Sequence, residues 1–173
     1  IDKNSSVSIF RDDVIIATED DEIVQSNYAE YDKKKEQITL KNNIIIIDNQ
    51  KNKTKSNYVV YDVLKKSFFS KGLTEIKIKE NYIVQGENIL LDAKKSLIQS
   101  DSKTIITDQD NNKIYLESFQ YLKNKNIFKS IGLIQIEDIS GNNYEFWQIY
   151  IDTKKKEILG TDTKVFLNNK KFK

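Results

Sequence analysis

The chain has 173 residues, with 28 Lys or Arg against 26 Asp or Glu, for a formal net charge of +2. So balanced a charge, with Arg11 as the single arginine, gives no reason to expect a nucleic-acid-binding surface. The chain contains no His and no Cys, which excludes a Ser-His-Asp triad, a cysteine nucleophile and a His-ligated zinc site. A carboxylate pair could still hydrolyse a glycoside, but no such pair stands out from the recurrent turn aspartates, so we predict no enzyme, no cofactor and no metal. No window approaches the ~18 apolar residues of a membrane span.

In chain order, the first clear signal is a segment that recurs. Shifting the sequence by thirty residues aligns SNYAEYD from residue 26, SNYVVYD from 56, GENILLD from 86, LESFQYL from 116 and FWQIYID from 146. The closing aspartate recurs as Asp32, Asp62, Asp92 and Asp152, and Leu122 breaks the series. Repeats of this length are typical of stacked units, each of which buries its apolar face against its neighbours.

Four columns of the repeat are apolar or aromatic in every unit, as a stacked core requires. The columns contain Ala29, Val59, Ile89, Phe119 and Ile149; Tyr31, Tyr61, Leu91, Tyr121 and Ile151; Ile38, Phe68, Ile98, Phe128 and Ile158; and Ile16, Ile46, Ile76, Ile106, Ile136 and Phe166.

Each unit is predicted to be β. The first two columns lie two residues apart, which is strand spacing, and the segments are rich in β-branched and aromatic residues. A unit of thirty residues is expected to hold about three short strands, such as YAEYD, EQITL and NIIIID. A lysine-rich turn follows the closing Asp, and a polar or Gly break separates the second and third strands. Unpaired sheet edges are expected at both ends of the stack.

The polar residues support only modest expectations. The lysine turns should form a row along one edge, where they either steer anionic phosphates or simply protect a solvated edge, and we favour the solvated edge. Tyr31, Tyr61 and Tyr121 are expected at a rim with buried rings and wet hydroxyls, and Tyr28 and Tyr58 on the outer surface. The acidic run at residues 19–22 lacks the spacing of a calcium loop, so we expect a solvated turn.

Two stretches carry a family resemblance. SNYVVYDVLKKSFFSKGLTEIKI (residues 56–78) and VQGENILLDAKKSLIQSDSK (residues 84–103) resemble the OstA-like family of lipopolysaccharide transport. Gly72 and Gly132 stand where the family has a glycine, whereas Asn42, Ser102 and Asp162 do not match it. The resemblance covers essentially the whole chain. It is strongest to the N-terminal periplasmic domain of the outer-membrane LPS-assembly protein, and next to the periplasmic bridge protein.

The resemblance implies a fold and a function. The fold would be a β-taco or β-jellyroll of two antiparallel sheets, built from five to six thirty-residue repeats as one domain over residues 1–173, which we expect to be excised from a longer protein. The function would be periplasmic shielding of the lipid A acyl chains of lipopolysaccharide, with other OstA-like proteins as partners through end-to-end β-strand addition. The four columns, from Ala29 to Phe166, would then line the lipid groove.

Two alternatives remain open from the sequence. A parallel β-solenoid that binds or cleaves carbohydrate would also show a long repeat, although no exposed carboxylate cluster accompanies this one. A structural surface protein with a closed core would show the same columns with no ligand.

Overall fold

The computed structural model describes residues 6–78 and 81–168, and over them the chain is all-β, as predicted, apart from one 3-10 turn at Lys123–Lys125. No helix in these ranges is long and apolar enough to cross a membrane. The strands are β1 (Val7–Ala17), β2 (Ile23–Asp32), β3 (Gln37–Ile47), β4 (Lys53–Asp62), β5 (Ser67–Ser70), β6 (Leu73–Lys77), β7 (Ile83–Glu87), β8 (Leu90–Asp92), β9 (Leu97–Ser100), β10 (Thr104–Thr107), β11 (Lys113–Leu116), β12 (Phe119–Leu122), β13 (Ile127–Glu137), β14 (Asn143–Asp152), β15 (Glu157–Thr161) and β16 (Lys164–Phe166).

The strands form two layers that share one bent edge, which we call the spine. The long strands β1 to β4, β13 and β14 cross the spine and contribute one half to each layer. Between β4 and β13 the strands are interrupted at the spine. There β5, β8, β9 and β12 continue layer I, and β6, β7, β10 and β11 continue layer II. The result is two antiparallel sheets folded against each other, consistent with the predicted β-taco.

The stack has a regular rung structure. Its rungs are β1, β2, β3, β4, β5 with β6, β8 with β7, β9 with β10, β12 with β11, β13, β14, and β15 with β16, eleven in all. At ~4.8 Å between neighbouring strands, the stack is about 48 Å long. Each thirty-residue unit therefore supplies two bent strands, and the expectation of about three short strands per unit was wrong. EQITL and NIIII are two halves of one strand, β3, rather than two separate strands.

The pairing excludes the parallel solenoid. Every strand pairing within the described residues is antiparallel, and neighbouring rungs are joined by tight hairpin turns at the tips of the two layers. A parallel ladder would need a crossover connection between neighbouring strands.

The bend at the spine recurs with the period of the sequence repeat. Left-handed backbone, with positive φ, occurs at Asp12, Asn42, Gly72, Gly132 and Asp162. Asn and Asp tolerate this conformation better than other residues with a side chain. Asn42 and Asp162, which depart from the glycine of the family, therefore still supply the backbone geometry that glycine supplies at Gly72 and Gly132.

The two layers end in different turns. At the layer I tips, the Oδ1 atom of the recurrent Asp accepts backbone N–H groups of the turn, as in Asp62 with Lys65 (2.9 Å) and Asp92 with Lys95 (2.9 Å). This confirms that the Asp column serves the turns. At the layer II tips, three turns follow an Asp-x-x-x-Asn pattern that begins at Asp48, Asp108 and Asp138.

The ends of the stack expose unpaired edges. Within the described residues, β1 pairs only with β2, and β15 and β16 pair only with β14. Inward-facing Phe10 of β1 and Ile158 of β15 are 53% and 46% exposed, because no further rung covers them. Both the backbone ladder and the apolar interior therefore stop at open faces.

Replacing Gly132 by alanine should test the spine. Its φ of +115° disfavours any side chain, although a Cβ there would meet no atom within 4 Å. We expect Gly132→Ala to lower the free energy of unfolding by about 1–2 kcal/mol through backbone strain alone, measured by urea denaturation. Asn42→Gly, at an equivalent bend, is the matched control and should be close to neutral. An equal loss in both variants would contradict this account.

Candidate functional site

The apolar columns meet between the two layers. Of the twenty columnar residues from Ala29 onward, sixteen are buried: Ala29, Ile46, Val59, Tyr61, Phe68, Ile76, Ile89, Leu91, Ile98, Ile106, Phe119, Tyr121, Phe128, Ile136, Ile149 and Ile151. Tyr31 and Ile38 are half-buried near the N-terminal end, and Ile16 of the first strand is also half-buried. Ile158 faces inward but is exposed at the C-terminal end. The middle rungs are thus packed layer against layer.

Phe166 does not join the interior. It lies opposite Asn143 on the outer face, whereas Val165 takes the inward position opposite Tyr144. β16 pairs with β14 one residue away from the register that the earlier units keep in layer II. A slip of one residue moves every side chain of a strand to the other face of the sheet. The prediction that Phe166 lines the groove was therefore wrong in its placement.

Aromatic rings fill the central rungs. Tyr61 stacks on Phe68 with centroids 4.3 Å apart, and Tyr121 packs on Phe128 at 4.5 Å. Tyr82 of layer II reaches across to the same Phe128 at 5.9 Å. Each fully buried side chain of this size contributes about 1.5–3 kcal/mol.

The tyrosine expectations were partly correct. Tyr121 is only 1% exposed, so it is a core residue rather than a rim residue with a wet hydroxyl. The hydroxyl of Tyr31 donates to Glu36 at 3.0 Å, in keeping with a rim position. Tyr28 and Tyr58 lie on the outer face as predicted, each beneath a lysine ammonium.

Small hydroxyl residues line the inside of the spine. Thr74 Oγ1 donates to Ser70 Oγ at 2.8 Å, and Ser100 Oγ donates to the Glu87 carbonyl at 2.7 Å. The buried members of this stripe are Ser26, Ser56, Ser70, Thr74, Ser100, Thr104 and Ser130. Their size lets the two layers approach closely, and their hydroxyls satisfy polar groups at the bend. The sequence columns did not include them.

The open side of the fold, opposite the spine, is bridged by a buried ion pair. Lys123 Nζ, from the layer I tip, lies 3.0 Å from Asp48 Oδ2 of the layer II tip, and the side chains are 6% and 3% exposed. Glu22, from the neighbouring layer II tip, is also buried. We call Glu22, Asp48 and Lys123 the latch, because they connect the tips of the two layers.

Burial raises the pKa of Glu22 to about 7. Loss of hydration is the main cause, the charge of Lys123 opposes it, and the charges of Asp48 and Asp20 add to it. Since burial in the folded chain raises this pKa, the folded state is most favoured when Glu22 is protonated. That advantage declines as pH rises from about 4.5 to about 7. The expectation that residues 19–22 form a solvated turn was therefore wrong for Glu22.

Two weaker polar contacts flank the latch. Lys66 Nζ lies 3.2 Å from Asp20 and 3.3 Å from Glu19, again joining a layer I tip to a layer II tip. Gln50 and Asn124 form a side-chain contact of 3.4 Å beside the latch. The other turn lysines are solvated, and four of them pair with the Asp of their own turn.

Sequence reasoning missed the latch. The column of Lys123 holds the exposed Lys33 as well as Val63, Ala93 and Thr153, so its charge alone does not single Lys123 out. The break of the Asp column at Leu122 lies one residue earlier. Asp48 was hidden because it also serves as a turn residue, like Asp108.

The site offers no metal chemistry that we can identify. Over residues 6–78 and 81–168, no group of three or more His, Cys, Asp or Glu side chains could hold a metal ion.

Comparisons with known proteins find weak structural likenesses. No family model matches the sequence, and no curated protein does. LptH of Pseudomonas aeruginosa, described as the LptA-homologous periplasmic component of the lipopolysaccharide transport device, is similar at 16% identity and a TM-score of 0.35, over 85% of this chain and 94% of its own. The SAS-4 TCP domain of Drosophila melanogaster is similar at 8% identity and 0.29, over 90% of each chain. The TCP10 domain of Danio rerio CPAP reaches 8% and 0.23, over 86% and 87%. Values this low carry no argument about function.

Removing Lys123 should destabilise the fold more than removing the whole pair. Lys123→Met leaves Asp48 buried without its cation, so we expect a loss of about 3–5 kcal/mol in the free energy of unfolding. The double variant Lys123→Met/Asp48→Asn should regain most of that loss, because it leaves no unpaired charge at the pair and keeps the Oδ1 acceptor for the backbone N–H groups of the turn. Urea denaturation near pH 5.5, with exposed Lys125→Met as control, measures both. A double variant as unstable as the single one would contradict this prediction.

Proposed function

We propose that this chain is a periplasmic lipopolysaccharide-transport domain that shields the lipid A acyl chains between its two layers. The observation that carries the proposal is the apolar interior, which runs through the stack between two layers joined along one edge and bridged by polar contacts along the other. The motif resemblance of residues 56–78 and 84–103 to OstA-like sequences also supports it. We infer no catalytic role.

A repeated apolar interior would let a lipid move along the stack while its acyl chains stay out of water. Each CH₂ group exposed to water costs about 0.8 kcal/mol, so a lipid with several acyl chains needs continuous apolar cover. Each rung presents the same types of side chain, so neighbouring positions bind a chain with similar affinity. A lipid can then move along the stack without a deep trap at any rung.

Within the family, we assign the chain to the N-terminal domain of LptD, the outer-membrane LPS-assembly protein, with the bridge protein LptA as the second candidate. The sequence of residues 144–173 supports this order, because it resembles the end of that domain, including the Trp-bearing strand that holds Trp147. The reading frame beyond Lys173 decides between them. A long outer-membrane barrel would indicate LptD, whereas a stop codon would indicate LptA. In the first case the domain would lie in the periplasm at the outer membrane.

The open ends support end-to-end partners. β1 and β15 each present an edge without a strand partner among the described residues, next to exposed inward residues Phe10 and Ile158. An added strand there would satisfy backbone groups and extend the apolar interior at the same time. We therefore propose other OstA-like proteins as partners.

A closed structural repeat without a ligand is the second candidate, since the middle rungs are fully packed. Photo-crosslinking separates the two. A photoreactive residue at Phe68, Ile98 or Phe128 should capture lipopolysaccharide, because these positions face the interior, whereas Tyr28 or Glu30 on the outer face should not. Equal labelling of the two sets, or no labelling of either, would reject the groove.

The end contact can be tested on one strand. Ile158 faces inward and Leu159 faces outward on β15, and both are exposed. Ile158→Lys places a charge where an added rung would bury its apolar residues, so we expect it to weaken end-to-end association at least tenfold by light scattering or by binding to a partner domain. Leu159→Lys is the matched control. Equal effects would argue against continuation of the interior.

A further inference from the structure

The layer II tips are polar in most units and apolar in one. Asp48 shares its column with Asp108 and Asp138, and Glu22 shares its column with Asn52, Asn112 and Asn142. The apolar exceptions are Ile78 and Tyr82. Both are buried. One layer II tip is therefore closed by apolar residues, whereas the tips of Glu22 and Asp48 are closed by charged residues.

A charged closure has different energetics from an apolar one. Burying an ion pair removes hydration from both partners, and their attraction roughly offsets that cost. Separating the layers at Asp48 and Lys123 lets water hydrate both ions, so this part of the closure is close to balanced. Separating them at Tyr82 and Phe128 would expose apolar rings with no compensation. The closure at the latch and its flanking polar contacts is therefore easier to open than the ring packing of Tyr82 on Phe128.

We propose that the latch is a gate, whose opening separates the N-terminal layer II tips from Lys123 and admits a lipid sideways into the interior. The gate lies between the tips at Glu22 and Asp48 on one side and the turn at Lys123–Lys125 on the other. The packing of Tyr82 on Phe128 holds the neighbouring rung closed and limits the opening. This inference rests on the proposed function only in naming a lipid as the molecule that enters through the gate.

The ionisation of Glu22 favours opening of the gate. It is faced by Thr18 and Asp20 of its own turn, by Asp48 and by Lys123, and the hydroxyl of Thr18 lies 3.5 Å from its carboxylate. When Glu22 is protonated, Asp48 and Lys123 balance each other. When it ionises, two buried carboxylates share one ammonium, and repulsion favours separation.

Two further groups, Tyr61 and Lys66, interact electrostatically with residues in or beside the latch. The phenol of Tyr61 lies close enough to interact electrostatically with Glu22, and Lys66 neutralises Asp20 from the layer I side. Neither adds a second cation beside Asp48. The titration of Glu22 therefore sets the charge balance of the latch.

The direction of the pH effect follows from the two states. In the open state Glu22 is hydrated with a pKa near 4.5, and in the closed state burial raises its pKa to about 7. The ratio of open to closed molecules should therefore rise with pH between these values, by up to a few hundred-fold, and then level off.

The test measures the gate without lipid. The chain contains no cysteine, so spin labels can be placed at Asn49→Cys and Lys125→Cys, two exposed positions beside the latch. Pulsed electron–electron double resonance should show a longer distance between the two spin labels at about pH 8 than at about pH 5. Glu22→Gln should remove the pH dependence and keep the short distance. Lys123→Met should give the long distance at high pH, and Lys154→Met, an exposed lysine on the next turn, should behave as the unmodified protein.

The outcomes separate the gate from the lipid function. An unchanged distance across pH, in a folded protein, would overturn the gate, as would a pH dependence that survives in Glu22→Gln. If Lys123→Met does not fold, the Glu22→Gln comparison still decides. Capture of lipopolysaccharide at Phe128 should increase with pH in the unmodified sequence and not in Glu22→Gln. A pH-dependent distance without any capture would leave the gate standing and reject the lipid function.

Discussion

The fold depends on one constraint, the bend that every rung makes at the spine. A flat antiparallel sheet of these strands would leave one apolar face in water. Left-handed residues such as Asn42 and Gly132 bend rungs such as β3 and β13, and register shifts mark the bends of the long strands paired with them, so a single sheet covers its own apolar face. Stripes of small hydroxyl side chains make the inside of the bend narrow enough for the layers to pack. Everything opposite the spine then depends on whatever joins the tips of the two layers.

The tips of the two layers are joined by apolar packing at one place and by an ion pair at another. Tyr82 and Phe128 close one place by ring packing, whereas Asp48 and Lys123 close another by charge. A buried ion pair adds little net stability, yet leaving one partner alone costs several kcal/mol. The pair therefore specifies which tips meet, while the apolar rungs provide most of the stability. Glu22 adds a second carboxylate, so closure is linked to the protonation of one group.

The sequence predicted most of the interior because burial leaves a periodic trace. Residues such as Val59, Ile89 and Ile149 recur at one spacing and occupy one stripe of the core. Phe166 keeps the spacing but not the register, since a slip of one residue in an end strand cannot be read from composition. The serines of SNYAEYD and SNYVVYD, Ser26 and Ser56, were not among the predicted interior residues, although they line the spine.

The latch could not be predicted from the repeat. The column of Lys123 holds the exposed Lys33 as well as Val63, Ala93 and Thr153, so a lysine there either stays in water or finds an anion, as Lys123 does in Asp48. Sequence alone cannot name the anion, because Asp48 lies in a different column of a distant unit, and the offset between the two layers brings them together. Asp48 and Lys123 are 75 residues apart along the chain and meet only through this offset.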